Sequence, residues 1–251
     1  MSAVLEVRNL KKTYQKRKTE IVAVDGISFQ INKGECLGLV GESGCGKSTT
    51  ARIITRLEDK DQGEIILNGR EISQVKNRKL REIYREIQMI FQMPVDSFNP
   101  RLKLGESIME SMINQGMRRQ QAKERALDYL EICGLSSEFA QRYPHQVSGG
   151  ECQRASIARA IANQPSLLIC DEATSALDVT IQEQIIQLLK RFQTQMDMSC
   201  LLICHDLALV QAACDRVIVM YNGRIVETGT PDDVIMNPQE AYTKKLIDSV
   251  L

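Results

Sequence analysis

Residues 41–49 read "GESGCGKST", with glycines at 41, 44 and 46, one lysine, and hydroxyls on Ser43, Ser48 and Thr49. Such a run presents bare backbone beside a single positive charge. Gly41, Gly44 and Gly46 allow turn conformations closed to other residues and let N–H groups approach a ligand closely. With Glu42, Ser43 and Cys45 between them, those N–H groups form an anion nest, reinforced by the positive end of a following helix. The spacing G-x-x-x-x-G-K-S over 41–48 points Lys47 at outer phosphates and Ser48 at Mg²⁺, with Thr49 next on the helix. The expected ligand is a nucleoside triphosphate. Cys45, a thiol inside the nest and near a helix start, is expected to have a lowered pKa and to react readily.

Two further stretches carry chemistry. "SLLICDE" ends a buried apolar run on Asp171 and Glu172. At a strand end, one carboxylate can hold Mg²⁺ opposite Ser48 and the other can polarise an attacking water. The same pair also suits the acidic start of a helix. "QVSGGECQRASIARAIANQ" offers Ser148 as an N-cap, with Gly149 and Gly150 baring the first N–H groups of a small-residue helix. Taken alone, that is either an ordinary capped helix or a second anion site. One phosphate chain cannot occupy two nests unless they face each other.

The elements that must position these residues are legible in the pattern. "ECLGLV" before the nest is a short buried strand, and "STTARIITRL" after it places Ile53, Ile54 and Leu57 on one helical face. "AVLEVR", "IVAVDGISFQI" and "GEIILNG" also read as strands, with Gly26 and Gly34 as turns. Over about 105–141 the apolar residues take a helical period, and Gly134 closes the second helix, "RRQQAKERALDYLEICG". The second half alternates strand and helix: "SLLICDE", "DVTIQEQIIQLLKRFQTQM", "SCLLICHD", "LALVQAAC", "RVIVMYNG" and a final helical tail, "NPQEAYTKKLIDSVL". This alternation implies right-handed crossovers and a largely parallel sheet.

Composition limits the partners. In 251 residues, 32 Lys and Arg balance 32 Asp and Glu, so global charge advertises no nucleic acid. No run of about 18 apolar residues is present, and "MSAVLEVRNLKKTY" lacks a signal-peptide core, so the chain is expected in the cytoplasm. The 8 cysteines contain no C-x-x-C pair and read as reduced thiols, several of them core hydrophobes.

Taken together, the chain resembles the ATP-binding subunit of an ABC transporter over essentially its full length. "GESGCGKST" resembles Walker A, "VSGGECQR" the signature, and "LLICDEATSALD" Walker B running into the D-loop. Gln92 in "MIFQMP" occupies the Q-loop position, His205 in "ICHDL" the switch position, and Tyr14 in "LKKTYQ" the A-loop position. The resemblance implies an α/β P-loop NTPase with a mainly parallel core sheet, an N-terminal antiparallel β subdomain and an inserted helical subdomain at about 105–163, all within one domain over 1–251. It implies ATP and Mg²⁺ as cofactors, with Glu172 as catalytic base and His205 holding the γ-phosphate and water. Gln92 would sense Mg²⁺, Tyr14 would stack on adenine, and Asp178 would lie at a dimer seam. Ser148 and Gly150 would cap the ATP of a partner subunit, which resolves the question of two nests. Tyr14 suits any purine, so ATP and GTP both stay open. The signature departs from the usual pattern at Val147 and Glu151, and the Glu151 charge is expected to weaken trans capping modestly.

"FQMPVDSFNPRLKLGESI" and the C-terminal run resemble the oligopeptide, dipeptide and nickel importer group. That implies a peripheral subunit on the cytoplasmic face of the membrane, bound to transmembrane permease subunits and serving an extracytoplasmic substrate-binding protein indirectly. It also implies a second ATPase subunit, with a heterodimer favoured over a homodimer. The competing reading is a soluble ABC ATPase of DNA repair or translation.

Overall fold

The computed structural model describes residues 2–16, 19–173 and 178–248. Strand β1 (Ala3–Lys16) pairs antiparallel with β2 (Thr19–Asn32) and with β4 (Gln62–Leu67), and a short β5 (Arg70–Glu71) completes a four-stranded sheet in the order β2-β1-β4-β5. Between β2 and β4 the chain leaves this sheet for β3 (Cys36–Val40) and helix α1 (Lys47–Ile54). After β5 come α2 (Leu80–Glu86), β6 (Ile87–Ile90), α3 (Leu104–Asn114), α4 (Arg119–Ile132) and α5 (Gly149–Ile161). The rest alternates β7 (Leu167–Asp171), α6 (Val179–Met196), β8 (Ser199–Ile203), α7 (Leu207–Ala213), β9 (Arg216–Tyr221), β10 (Arg224–Gly229), α8 (Pro231–Met236) and α9 (Ala241–Asp248).

The second sheet is six-stranded, ordered β10-β9-β3-β8-β7-β6; all neighbours are parallel except β10 on β9. This is the α/β architecture expected, with an antiparallel sheet at the N-terminal end. Strands β3, β7 and β8 are buried at every residue, as parallel strands covered on both faces must be. Their side chains alternate between two cores. Leu37, Leu39, Leu167, Ile169, Leu201 and Ile203 face the antiparallel sheet and α1. Val40, Leu168, Cys170, Cys200 and Leu202 face the opposite core, which α3 to α7 help to build. Within it, α3, α4 and α5 pack on one another.

Two local readings change. Gly26 is not a turn: β2 runs through it at φ 70, and the register jumps from Leu10↔Ile27 to Lys11↔Asp25. The glycine is the extra residue of a bulge, which bends β2 without ending it. Strand β1 likewise continues well past "AVLEVR", bulging between Val7 and Leu10 at the left-handed Asn9. Among the described residues no helix is long and apolar enough to cross a membrane.

Candidate functional site

Gly41 directly follows β3, Asp171 ends β7, Gln92 follows β6 by two residues and His205 follows β8 by two. These four strands are neighbours and parallel, in the order β3-β8-β7-β6. Their carboxyl ends therefore share one edge, the edge at which open α/β sheets bind ligands.

The glycine loop is built for that edge. Gly46 has φ 108, and a Cβ there would lie 2.1 Å from the Ala23 carbonyl oxygen. At Gly41 it would lie 2.2 Å from the Met220 carbonyl oxygen. No side chain fits either place, so the loop can lie flat between β2 and β9 while Glu42, Ser43 and Gly44 stay exposed. Lys47 opens α1 and is 4% exposed. Its Nζ donates to the carbonyls of Gly41 at 2.7 Å and Glu42 at 2.9 Å, and lies 3.7 Å from Cys45 Sγ. Among the described residues no carboxylate forms an ion pair with it. An ammonium buried among neutral carbonyl and thiol dipoles, without a paired counter-charge, is costly.

Next to it, Ser48 Oγ donates to Asp171 Oδ1 at 2.9 Å. Burial pushes the Asp171 carboxyl up, against the pull of the Ser48 hydrogen bond. Glu172 sits at φ 48, a strained conformation for a non-glycine residue. Its N–H is anchored to the Ile203 carbonyl of β8 at 2.9 Å, and its Oε2 accepts from Gln92 Nε2 at 2.7 Å. The structure thus joins Lys47, Ser48, Asp171, Glu172 and Gln92 into one group. His205 is exposed at the same edge, just before Asp206, whose carboxylate caps α7 by accepting from Ala208 N and Leu209 N.

Tyr14 lies on β1 beside this edge, 36% exposed, with Lys12 Nζ 5.3 Å from its ring centroid. Burial, then the Glu58 carboxylate, push its phenol up, while the nearby Thr49 hydroxyl pulls the other way. Ser148 caps α5 and accepts from Glu151 N at 3.3 Å, while Glu151 Oε2 accepts from Ser148 N at 2.8 Å. This reciprocal capping box turns the Glu151 carboxylate back onto its own helix, and the two Ser148 bonds lower its pKa. Gly149 is exposed, with nothing within 4 Å of where a Cβ would stand. Among the described residues no hydrogen bond joins 148–150 to the glycine loop. Asp178 is exposed and caps α6 through Ile181 N at 3.0 Å. The rest of the D-loop-like stretch, 174–177, lies outside the described residues.

Cys45 corrects an expectation. Its thiol is buried, and burial raises its pKa; the neighbouring Lys47 pulls it down by less. It is not an activated thiol. A contact missed in the sequence is Tyr242 of α9, whose hydroxyl accepts from Glu42 N at 3.0 Å.

Comparison with known proteins adds to this geometry. The pattern that defines the ABC transporter family matches residues 24–175. The oligopeptide transport ATP-binding protein OppF of Bacillus subtilis (strain 168) is 44% identical over 250 residues, covering 98% of this chain and 82% of that protein. The glutathione import ATP-binding protein GsiA of Pectobacterium atrosepticum is 45% identical over 98% of this chain and 41% of its own length. Among solved structures, the dimeric post-hydrolysis state of the ATP-binding cassette MJ0796, bound to ADP and Pi, superposes with a TM-score of 0.84. Its sequence identity is 30%, and the match covers 90% of this chain and 98% of that one.

Proposed function

The chain belongs to the ABC transporter family, and on that premise we propose that it powers the import of short peptides by binding and hydrolysing ATP at the 41–49 loop. The observation that carries the reading is the junction of Lys47, a buried ammonium held by neutral dipoles, with the Ser48–Asp171 pair at one sheet edge. Peptide cargo follows the relatives named for oligopeptide and glutathione import.

In this reading Lys47 neutralises the outer phosphates, and the N–H groups of 43, 44 and 46 cradle them. Ser48 and Asp171 offer the oxygen donors that a hard cation takes. Among the described residues no group of three or more His, Cys, Asp or Glu could hold a metal. Ser48 and Asp171 would hold Mg²⁺, whose charge would offset that of the phosphates. Glu172 accepts the proton of the attacking water, held in place by Gln92. His205 orients the γ-phosphate, and Tyr14 stacks on the base. Residues 148–150 cap the nucleotide of a second ATPase subunit, with Asp178 at the seam between the two. A heterodimer is our preferred assembly.

The transmembrane permease would dock beside Gln92. Met93 and Val95 there are 53% and 40% exposed, an unusual apolar pair at a loop. A cavity of about 540 Å³ lies further along, lined by Lys103, Glu106 and Met109 among others. Docking at this surface would hold the chain peripherally on the cytoplasmic face. A tagged chain should co-purify from solubilised membranes with permease subunits and show ATPase activity that Lys47→Ala removes. Recovery free of any membrane protein would overturn the transport reading and favour a soluble ATPase.

A further inference from the structure

The Glu42 N–H and the Gly41 C=O belong to one peptide group. On one side its N–H donates to Tyr242 Oη at 3.0 Å; on the other its oxygen accepts from Lys47 Nζ at 2.7 Å. A peptide is planar and resists twisting, so an acceptor that fixes the N–H also fixes the direction of the oxygen. Tyr242 is itself held firmly. Its ring stacks on Tyr221 at 4.0 Å between centroids and 28° between planes. Its helix α9 is anchored by buried Thr243, Leu246 and Ile247. The Glu227 carboxylate of β10 accepts from Gln239 N at 2.8 Å and Glu240 N at 3.2 Å, pinning the turn that leads into α9. The same region grips the loop twice more: Gly223 N donates to Cys45 O at 3.0 Å, and the Met220 carbonyl lies against Gly41.

We propose that Tyr242 is a positioning residue for the phosphate site: through the Gly41–Glu42 peptide it sets the plane on which the Lys47 ammonium rests. It touches no phosphate itself. Without its oxygen, that peptide N–H loses its fixed acceptor and the plane can rotate, displacing the carbonyl that holds Lys47. The C-terminal helix is thereby part of the nucleotide site, although it lies 200 residues from the loop in sequence.

The inference rests on the reading of Lys47 as the phosphate ligand, and the two can fail separately. Tyr242→Phe keeps the ring and its stack but removes the acceptor. A neutral hydrogen bond is worth about 0.5–1.5 kcal/mol, so Mg-ATP binding should weaken about 2- to 12-fold, with KM rising more than kcat falls. In a Lys47→Ala background the same change should have no further effect on nucleotide affinity, because the group being positioned is gone. Tyr221→Leu, which removes the stack and leaves the hydroxyl, should shift KM in the same direction by less. The proposal is overturned if Tyr242→Phe lowers the melting temperature but leaves KM unchanged, or if it weakens binding equally with and without Lys47. If Lys47→Ala alone leaves ATP affinity intact, the assignment of the site fails instead.

Discussion

In the proposed mechanism Glu172 is the general base, so replacing it by glutamine should separate holding the nucleotide from hydrolysing it. Glu172 has a strained backbone at φ 48, its N–H is tied to Ile203, and its Oε2 accepts from Gln92 at 2.7 Å. A glutamine of the same size keeps an oxygen for Gln92. It turns a charge-assisted bond, worth about 1.5–3 kcal/mol, into a neutral one of about 0.5–1.5. That loss of roughly 1 kcal/mol affects the position of the side chain, not the phosphate contacts of 41–49. Removal of the base is the larger effect, because a positioned general base contributes about 10²- to 10⁴-fold. This corresponds to roughly 3–5 kcal/mol of barrier at 1.36 kcal/mol per tenfold. Phosphate release by Glu172→Gln should therefore fall at least about a hundredfold, while binding of radiolabelled ATP, measured by gel filtration, changes by no more than about fivefold. Gln92→Ala, which keeps the carboxylate but removes this one hydrogen bond, should cost about tenfold in rate. Turnover near wild type in Glu172→Gln, in the assay where Lys47→Ala is inactive, would refute the role of Glu172 and leave it a structural residue at the end of β7.

Asp171→Asn should weaken Mg-ATP binding yet stabilise the nucleotide-free chain at neutral pH. The folded pKa of Asp171 is raised above 3.8 by burial, so the native state binds this proton more tightly than the unfolded state and loses stability as pH rises from 3.8 through the folded value. Thermal melts at pH 4 and pH 7 check the sign: the variant should gain over wild type at the higher pH only. Cys45 should label with maleimide more slowly than an exposed thiol placed by Ser43→Cys; faster labelling at Cys45 would contradict its burial. Glu151→Ala should cost about 1 kcal/mol of stability through its lost capping box, and Glu151→Gln less than about 0.5. Equal losses for the two variants in urea unfolding would mean that Glu151 acts through its charge alone and not through the capping box.

The parts of the fold that were legible are those where one short segment carries its own evidence. The runs "LGLV", "SLLIC" and "CLLIC" are continuously apolar because both faces of β3, β7 and β8 are covered. Helix α6 was visible because Ile185, Leu188, Leu189 and Phe192 fall on one buried side. Strand β6 was not read as a strand. It has only four residues, with two half-buried between two buried ones, and it follows α2 without a glycine or proline between them. The insertion of β3 between β9 and β8 was equally hidden, since consecutive strands go to different sheets. That order depends on which surfaces meet after the chain has folded back, and no local period encodes it.

The site divides along the same line. Lys47, Ser48, Asp171 and Glu172 stood out because the chemistry proposed for them lies in spacing within a few residues. The bonds that orient them did not: Gln92 meets Glu172 across 80 residues and Tyr242 meets Glu42 across 200. Cys45 shows how a sound local rule fails for the same reason. A helix start and an adjacent lysine do favour a thiolate, and Lys47 does lower the Cys45 pKa. Burial outweighs them. The loop is closed in by the Ala23 carbonyl on one side and Met220 on the other, and the sulfur lies 2.8 Å from where a Gly41 Cβ would stand. The lysine charge is meanwhile engaged by two carbonyls that are nearer to it than the sulfur is. The residues that shut out water come from β2 and β9, so the sign of this shift depends on tertiary packing that the loop's own sequence does not contain.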